Sequence, residues 1–303
     1  MDRLQAMTTF VTVAETGGFS AAARKLDVSP SVVSRIVTEL EEHLGARLLT
    51  RTTRIVRLTE TGASYFEDCR RILGEIDEAE QSASGEHEAP RGAMTITAPV
   101  LFGALYVTPI VVEYLARYAE VEMNCWFLDR VVNLVDEGID VAVRIGELPN
   151  SSLQAIRVGT VRRVVCASPE YIERCGTPRT PDDLNSHTII STNAASNASS
   201  EWRFTVERRL QTLRVQPRLT STTNDAAIAA AVKGFGIVRP LSYQIASHLR
   251  AGTLQVLLEQ YEPPPLPIHV VHREGRHATQ KVRAFLDLAI EQLRSDPALN
   301  RSA

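Results

Sequence analysis

The chain has 303 residues, 44% of them apolar, and its 33 Lys and Arg against 36 Asp and Glu give a formal charge of −3. That length holds about two globular domains, and the near-neutral sum argues against a basic coat over the whole surface or a polybasic membrane anchor. Cys69, Cys125, Cys166 and Cys175 sit far apart with no CxxC pair, which fits neither a disulfide scaffold nor a zinc ribbon and makes free thiols in a reducing cytosol the expectation.

The opening MDRLQAMTTFVTVAETGG interrupts its apolar residues with acids and threonines, unlike a secretory signal. No run approaches the roughly 18 apolar residues of a membrane span. A cytoplasmic protein without a membrane partner is expected. Charge is unevenly spread: residues 1–62 are nearly balanced, yet His43 to Thr59 carries Arg47, Arg51, Arg54 and Arg57 and no acid, while residues 63–90 hold two basic and eight acidic side chains. Compositional breaks therefore fall near 62 and 90.

Leu4, Met7, Phe10, Val11 and Ala14 recur at helical spacing and stop at Gly17-Gly18. Ser20 is placed to cap a short helix from Ala21 to Leu26, and the Asp27-Val28 turn ends it. Ser29-Pro30 then supplies an N-cap and a first-turn proline for a third helix running to Leu44, with Gly45 as its stop. At about 100° per residue, Val33, Ile36, Val37, Leu40 and Leu44 share one side of it. Ser31, Ser34, Arg35 and Thr38 lie nearly opposite. Small hydroxyls beside a guanidinium suit close approach to base edges and phosphates; taken alone, the same face also reads as an ordinary solvated one. The following RTTRIVRLT reads as a two-stranded wing with basic edges, so the whole is a winged helix-turn-helix.

The segment FSAAARKLDVSPSVVSRIVTELEEHLGARLLTRTTRIVRLTETG, Phe19 to Gly62, resembles the N-terminal signature of the LysR-type transcriptional regulators. It departs from the common pattern at Pro30, where a glutamine often stands, and at Leu49, where phenylalanine often stands. The resemblance implies that Ser31, Ser34, Arg35 and Thr38 face bases or nearby phosphates of double-stranded DNA, and that Arg51 and Arg54 hold the backbone or minor groove.

From Ala63 to Ala83, the apolar positions Phe66, Cys69, Leu73, Ile76 and Ala83 step by three, four, three and seven, a coiled-coil seam weakened at Glu80. A helix packed on its own domain is the alternative; dimerisation is favoured, and the resemblance implies it too. Ser84 to Pro90 reads as a hinge.

Beyond the hinge, Met94 to Ala98 alternates as a strand, and Pro99 opens a helix to about Tyr118 whose leading N–H groups can bind an anion. Val121 to Leu128, Val131 to Glu137 and Ile139 to Arg144 read strand, helix, strand. Further strands are expected at Val164 to Ala167, Gly236 to Val238 and Ile268 to Val271, with helices at Asn224 to Lys233 and Ala278 to Leu293. Pro263 to Pro267 reads as a stiff crossover. This α/β pattern, with ITAPVLFG, DEGIDVAVRIGELP, VVCASPEYI and NDAAIAAAVKGFGIV, extends the resemblance. It implies two Rossmann-like lobes similar to periplasmic solute-binding proteins: residues 91–161 completed by 268–303, and residues 162–267, following a DNA-binding domain at 1–62 and a linker with hinge at 63–90. By the same resemblance, a small-molecule effector site is lined by Thr97, Pro99, Val100, Leu101, Phe102, Asp129, the Arg144 to Glu147 turn, Ser191 to Asn193, Trp202 and Asn224. Arg144, Arg203 and Arg239 are candidates for recognising a carboxylate, with surface salt bridging as the plain alternative.

Catalytic signatures are lacking: there is no GxSxG, HExxH or P-loop, and Gly234-Phe235-Gly236 lacks the third glycine of a dinucleotide fingerprint. His269 and His272 face opposite sides of a strand and cannot share one metal. Cys166 and Cys175 invite a redox reading, but structural cysteines are favoured. The expectation is a homodimeric or tetrameric, effector-responsive regulator without cofactor, metal or catalysis. The alternative is a small-molecule enzyme or solute-binding module fused to a DNA-binding head.

Overall fold

Asp2 caps the first helix, α1 (Arg3–Thr16), by accepting the N–H groups of Leu4 and Gln5, and Gly17 ends it. The computed structural model of the chain describes residues 2–51, 56–84, 89–148, 153–192, 201–273 and 278–300, and divides into two compact units, Met1–Glu88 and Ala89–Ala303.

In the first unit, α2 (Phe19–Lys25) starts two residues earlier than expected. Gly18 is its N-cap residue and no side chain caps it, so Ser20 lies inside the first turn rather than at the cap. Helix α3 (Pro30–Leu44) follows the expected design: Ser29 Oγ accepts the N–H of Val32 at 3.4 Å, Pro30 sits in the first turn, and Gly45 takes the left-handed conformation (φ 64°) that a side chain would strain. Val33, Ile36, Val37 and Leu40 are buried with Phe10, Ala22 and Leu48 in one core. Leu44, expected on the same side, is 40% exposed at the last residue of the helix. Strands β1 (Leu49–Arg51) and β2 (Val56–Leu58) pair antiparallel as the wing.

Helix α4 (Glu60–Ser84) corrects the seam expectation in its first half. Cys69 is fully buried in the core of this unit and Phe66 and Leu73 pack against the same core, with the Phe66 ring 6.4 Å from that of Phe10. A three-four spacing marks an apolar stripe without saying which surface covers it. Here the helix's own domain covers its beginning.

In the second unit, a five-stranded sheet has the order β4-β3-β5-β13-β6. Strands β3 (Gly92–Ala98), β4 (Val121–Phe127) and β5 (Val141–Ile145) are mutually parallel, and β13 (Leu266–His272) enters antiparallel between β5 and β6 (Gln154–Val161). The late strand therefore completes the sheet built by residues 92–161. Helices α5 (Val100–Phe102) and α6 (Thr108–Arg117) are joined through a π-helical turn, Gly103–Val107. The 18 residues Val100–Arg117 have a mean hydropathy of 1.4, enough by length and composition for a membrane span, contrary to the reading that no run comes close. Phe102, Val107, Ile110, Val111 and Tyr114 spend that apolarity on the sheet and on α10 (Gln280–Ser295).

Val131 to Glu137 is a turn rather than a helix. Asn133 accepts the N–H of Val135 and donates to Asp136, and Arg130 grips Glu137 through two N–H groups at 2.9 and 2.6 Å. These local bonds compete with helical ones over a segment too short to repay nucleation.

The rest of the unit is built on short pairings: β7 (Val165–Ala167) with β12 (Gln255–Leu257), β8 (Ile189–Thr192) with β11 (Pro217–Ser221), and the hairpin β9 (Glu201–Val206) with β10 (Arg209–Arg214). Helices α7 (Pro169–Cys175), α8 (Asn224–Val232) and α9 (Ala246–Arg250) flank them. Gly236 to Val238 makes only isolated bridges, Ile237 to Ile189 and Val238 to Cys166. The expected crossover at Pro263 to Pro267 is partly sheet, since Leu266 and Pro267 already belong to β13 and the Pro267 carbonyl accepts the N–H of Gly146 at 2.9 Å.

Candidate nucleic-acid interface and effector cleft

The exposed side of α3 brings four of the expected residues together. Ser31 and Arg35 are exposed, and Ser34 and Thr38 are half-buried. The Ser31 and Ser29 hydroxyls lie 2.9 Å apart, and Thr38 Oγ1 donates to the Ser34 carbonyl at 2.8 Å, a back-bond within the helix. Arg35 Nη1 meets Glu39 Oε1 at 3.1 Å, one turn on, with the Arg35 side chain 67% exposed. An exposed i,i+4 pair holds only about 0.3–0.5 kcal/mol, so this guanidinium can be recruited by a phosphate or a guanine edge at small cost. Arg51 lies on β1 opposite Val56 in the register, and Arg57 of β2 is exposed. Arg54 lies outside the described residues.

Sequence reasoning missed Glu41. Its Oε1 accepts the N–H groups of Leu48 at 2.8 Å and Leu49 at 3.0 Å, clamping the start of the wing to α3. Thr59 ends the wing in the same manner, donating to the Arg47 carbonyl at 2.7 Å and accepting the N–H of Gly62 at 2.9 Å. The only signal was an acid one turn beyond the core residue Val37, which helical spacing leaves ambiguous.

The second unit contains a cleft of about 540 Å³. Of the expected effector residues, Trp202 and Asn224 line it, together with Glu147, Ser191 and Thr192 of the wider set and two of the candidate carboxylate receptors, Arg203 and Arg239. Arg163 also lines it and was not anticipated. Thr97, Pro99, Val100, Leu101, Phe102, Asp129 and Arg144 are not among its lining residues. Thr97 is buried and donates to the Trp126 carbonyl at 2.6 Å. Phe102 is core, stacked on Tyr106 at 4.8 Å and edge-on to Tyr243 at 5.3 Å. Leu101 packs between two apolar clusters, Pro99 is half-buried before α5, and Val100 is exposed. The expected anion site at the start of this helix meets a competitor from the protein itself, because Asp129 Oδ1 accepts the Val100 N–H at 3.0 Å. Arg144 donates to the Val132 carbonyl at 3.1 Å, and burial lowers its pKa. Asn193 lies outside the described residues.

Arg239 is the most constrained charge of the cleft. Its guanidinium carbon lies 5.7 Å from the Trp202 ring centroid and 5.2 Å from that of Phe204, and it donates to the Arg203 carbonyl. Burial pushes its pKa down, and the positive charges of Arg163 and Arg203 add to that shift. Among the described residues there is no cluster of three or more His, Cys, Asp or Glu placed to hold a metal.

Residues 4–63 match the family described as "Bacterial regulatory helix-turn-helix protein, lysR family", and residues 87–294 match "LysR substrate binding domain". The chain is 34% identical, over 93% of its length and 98% of the relative's, to an uncharacterised HTH-type transcriptional regulator of Haemophilus influenzae. It is 30% identical to the HTH-type transcriptional activator AaeR of Escherichia coli over 95% of this chain and 93% of that one. The solved structure of CrgA, a LysR-type transcriptional regulator from Neisseria meningitidis, is 31% identical with a TM-score of 0.62, covering 95% of this chain and 98% of that one. The chain therefore belongs to the LysR-type transcriptional regulators. It is a DNA-binding regulator with an effector-binding domain.

Proposed function

We propose that α3 reads operator DNA through Ser31, Ser34, Arg35 and Thr38 while Arg51 and Arg54 of the wing hold the phosphate backbone. The observation that carries this is the two-sidedness of α3: Val33, Ile36, Val37 and Leu40 are spent on the core, leaving a polar side of hydroxyls and one weakly engaged guanidinium. In this reading residues 1–62 form the DNA-binding domain and 63–90 the linker, with 91–161 plus 268–303 as one effector lobe and 162–267 as the other. The entry of β13 into the sheet of β3 to β6 supports that division.

The effector, bound between the lobes, changes how paired DNA-binding domains span their half-sites. Pairing of two chains is supported by β4, an edge strand of the sheet, with exposed Cys125 and Trp126, and by exposed Leu105 and Val112 on the neighbouring helical segment. An unpaired edge beside apolar side chains is a surface that a second copy covers. The protein works in the cytoplasm, consistent with four free cysteines, and acts by binding rather than catalysis. Protection of DNA around the protein's own promoter, with and without metabolites, tests this reading: a footprint of two half-sites whose spacing changes with a metabolite is expected. Uniform, sequence-independent protection refutes it.

A further inference from the structure

The cleft of the second unit gathers three arginines that make no ion pair among the described residues. Arg163, Arg203 and Arg239 all line it. Among the described residues, the ion pairs made by arginines and lysines involve other side chains and none of these three. Glu147 and Glu201 share the cleft without pairing with them. The stretch from Asn193 to Ser200, which leads into β9, contains no acid at all.

Buried cations are ordinarily paired, because an unpaired one loses its hydration without recompense. Arg239 Nε is buried with no hydrogen-bond partner. Burial also lowers the pKa of Arg163. Three guanidinium groups gathered around one cavity repel one another, and an anion placed among them relieves both the repulsion and the lost hydration. Asn224, the first residue of the nine-residue helix α8, brings the positive end of its backbone dipole to the same cleft.

Another part of the lining is apolar. Leu210 is 60% exposed, and Pro263, Pro264 and Pro265 stand with it around the cavity. The volume of about 540 Å³ falls within the roughly 300–1,000 Å³ of small-molecule sites. Inorganic phosphate would use the guanidinium groups and leave that apolar surface wet.

We propose that the cleft binds a small organic carboxylate, its anionic group held among Arg239, Arg203 and Arg163 and its apolar body laid against Leu210 and the Pro263 to Pro265 segment. The biological meaning of this ligand rests on the cleft being the effector site; its binding does not.

The test is titration of the full chain by calorimetry, with benzoate, hexanoate, the neutral isostere benzamide and inorganic phosphate at equal ionic strength. At least one of the two carboxylates binds saturably in the millimolar range or tighter, and benzamide and phosphate bind about tenfold or more weakly than it does. Arg203→Gln and Arg239→Gln each weaken carboxylate binding by about tenfold or more. Arg203 is exposed, so its variant reports on binding even if the Arg239 variant folds poorly. Equal binding of benzamide, unchanged affinity in Arg203→Gln, or no saturable carboxylate binding overturns the proposal, and phosphate binding as tightly as either carboxylate overturns the role of the apolar wall. Promoter binding is measured separately: DNA binding without carboxylate binding contradicts the ligand class alone, and carboxylate binding without DNA binding contradicts only the regulatory reading.

Discussion

Glu41 Oε1 accepts the backbone N–H of Leu48 at 2.8 Å, so a carboxylate on α3 fixes where the wing begins. Because the same oxygen also takes the N–H of Leu49 at 3.0 Å, Glu41→Ala strands two amide groups, both on fully buried residues. The expected loss is about 1.5–3 kcal/mol of stability in the N-terminal unit, read as a lower denaturant midpoint by circular dichroism. DNA affinity falls for all sequences alike, and Glu41→Gln, which keeps an acceptor, recovers most of the loss.

Arg35 separates recognition from stability. Its pair with Glu39 is solvent-exposed, so Arg35→Ala leaves the melting midpoint within about 0.5 kcal/mol of wild type. In a salt-controlled shift assay it costs about 1–3 kcal/mol of operator binding and relaxes preference at one base position. Arg51→Ala weakens every sequence equally and lowers the salt slope. Glu39→Ala removes the competitor for Arg35 and strengthens binding.

These two residues show what was legible. Helical periodicity with a serine-proline start and a glycine stop defined α3 from sequence, and the side opposite its core followed from geometry. Glu41 was not legible, because its partners Leu48 and Leu49 come from the next element. The cleft repeats the lesson: Trp202, Asn224, Arg203 and Arg239 were anticipated, while Arg163 was not, since only the packing of distant strands brings it beside Arg239. Phe102 and Thr97 do not line this cleft and are buried, and an apolar ring or a hydroxyl bonded to a carbonyl is equally at home in a core.

Gly62 lies where α4 meets the wing. A Cβ there would sit 1.9 Å from the Leu48 carbonyl oxygen, backbone that cannot swing aside. Gly62→Ala therefore destabilises the N-terminal unit by at least about 1–3 kcal/mol despite alanine's higher helix propensity. Both tryptophans, Trp126 and Trp202, belong to the second unit, so their fluorescence transition stays in place while the early part of the circular dichroism transition shifts.

Cysteine reactivity follows burial. Desolvation pushes the Cys166 thiol up to about 12 and also raises that of Cys69. Both are fully buried, whereas Cys175 and Cys125 are exposed. Iodoacetamide at neutral pH modifies Cys175 in the native chain and reaches Cys166 and Cys69 only after unfolding, as read by peptide mass spectrometry. Rapid native labelling of Cys166 would restore a redox role for that residue.

The polar side of α3 is expected to confer sequence preference. Anisotropy titrations of the full chain against a fragment of its own promoter and a shuffled fragment of equal length, over a range of salt, measure that preference. Tighter binding of the promoter fragment, by about 10³-fold or more and lost in part by Arg35→Ala, is the expected result. Equal affinity for both fragments at every salt concentration would contradict it.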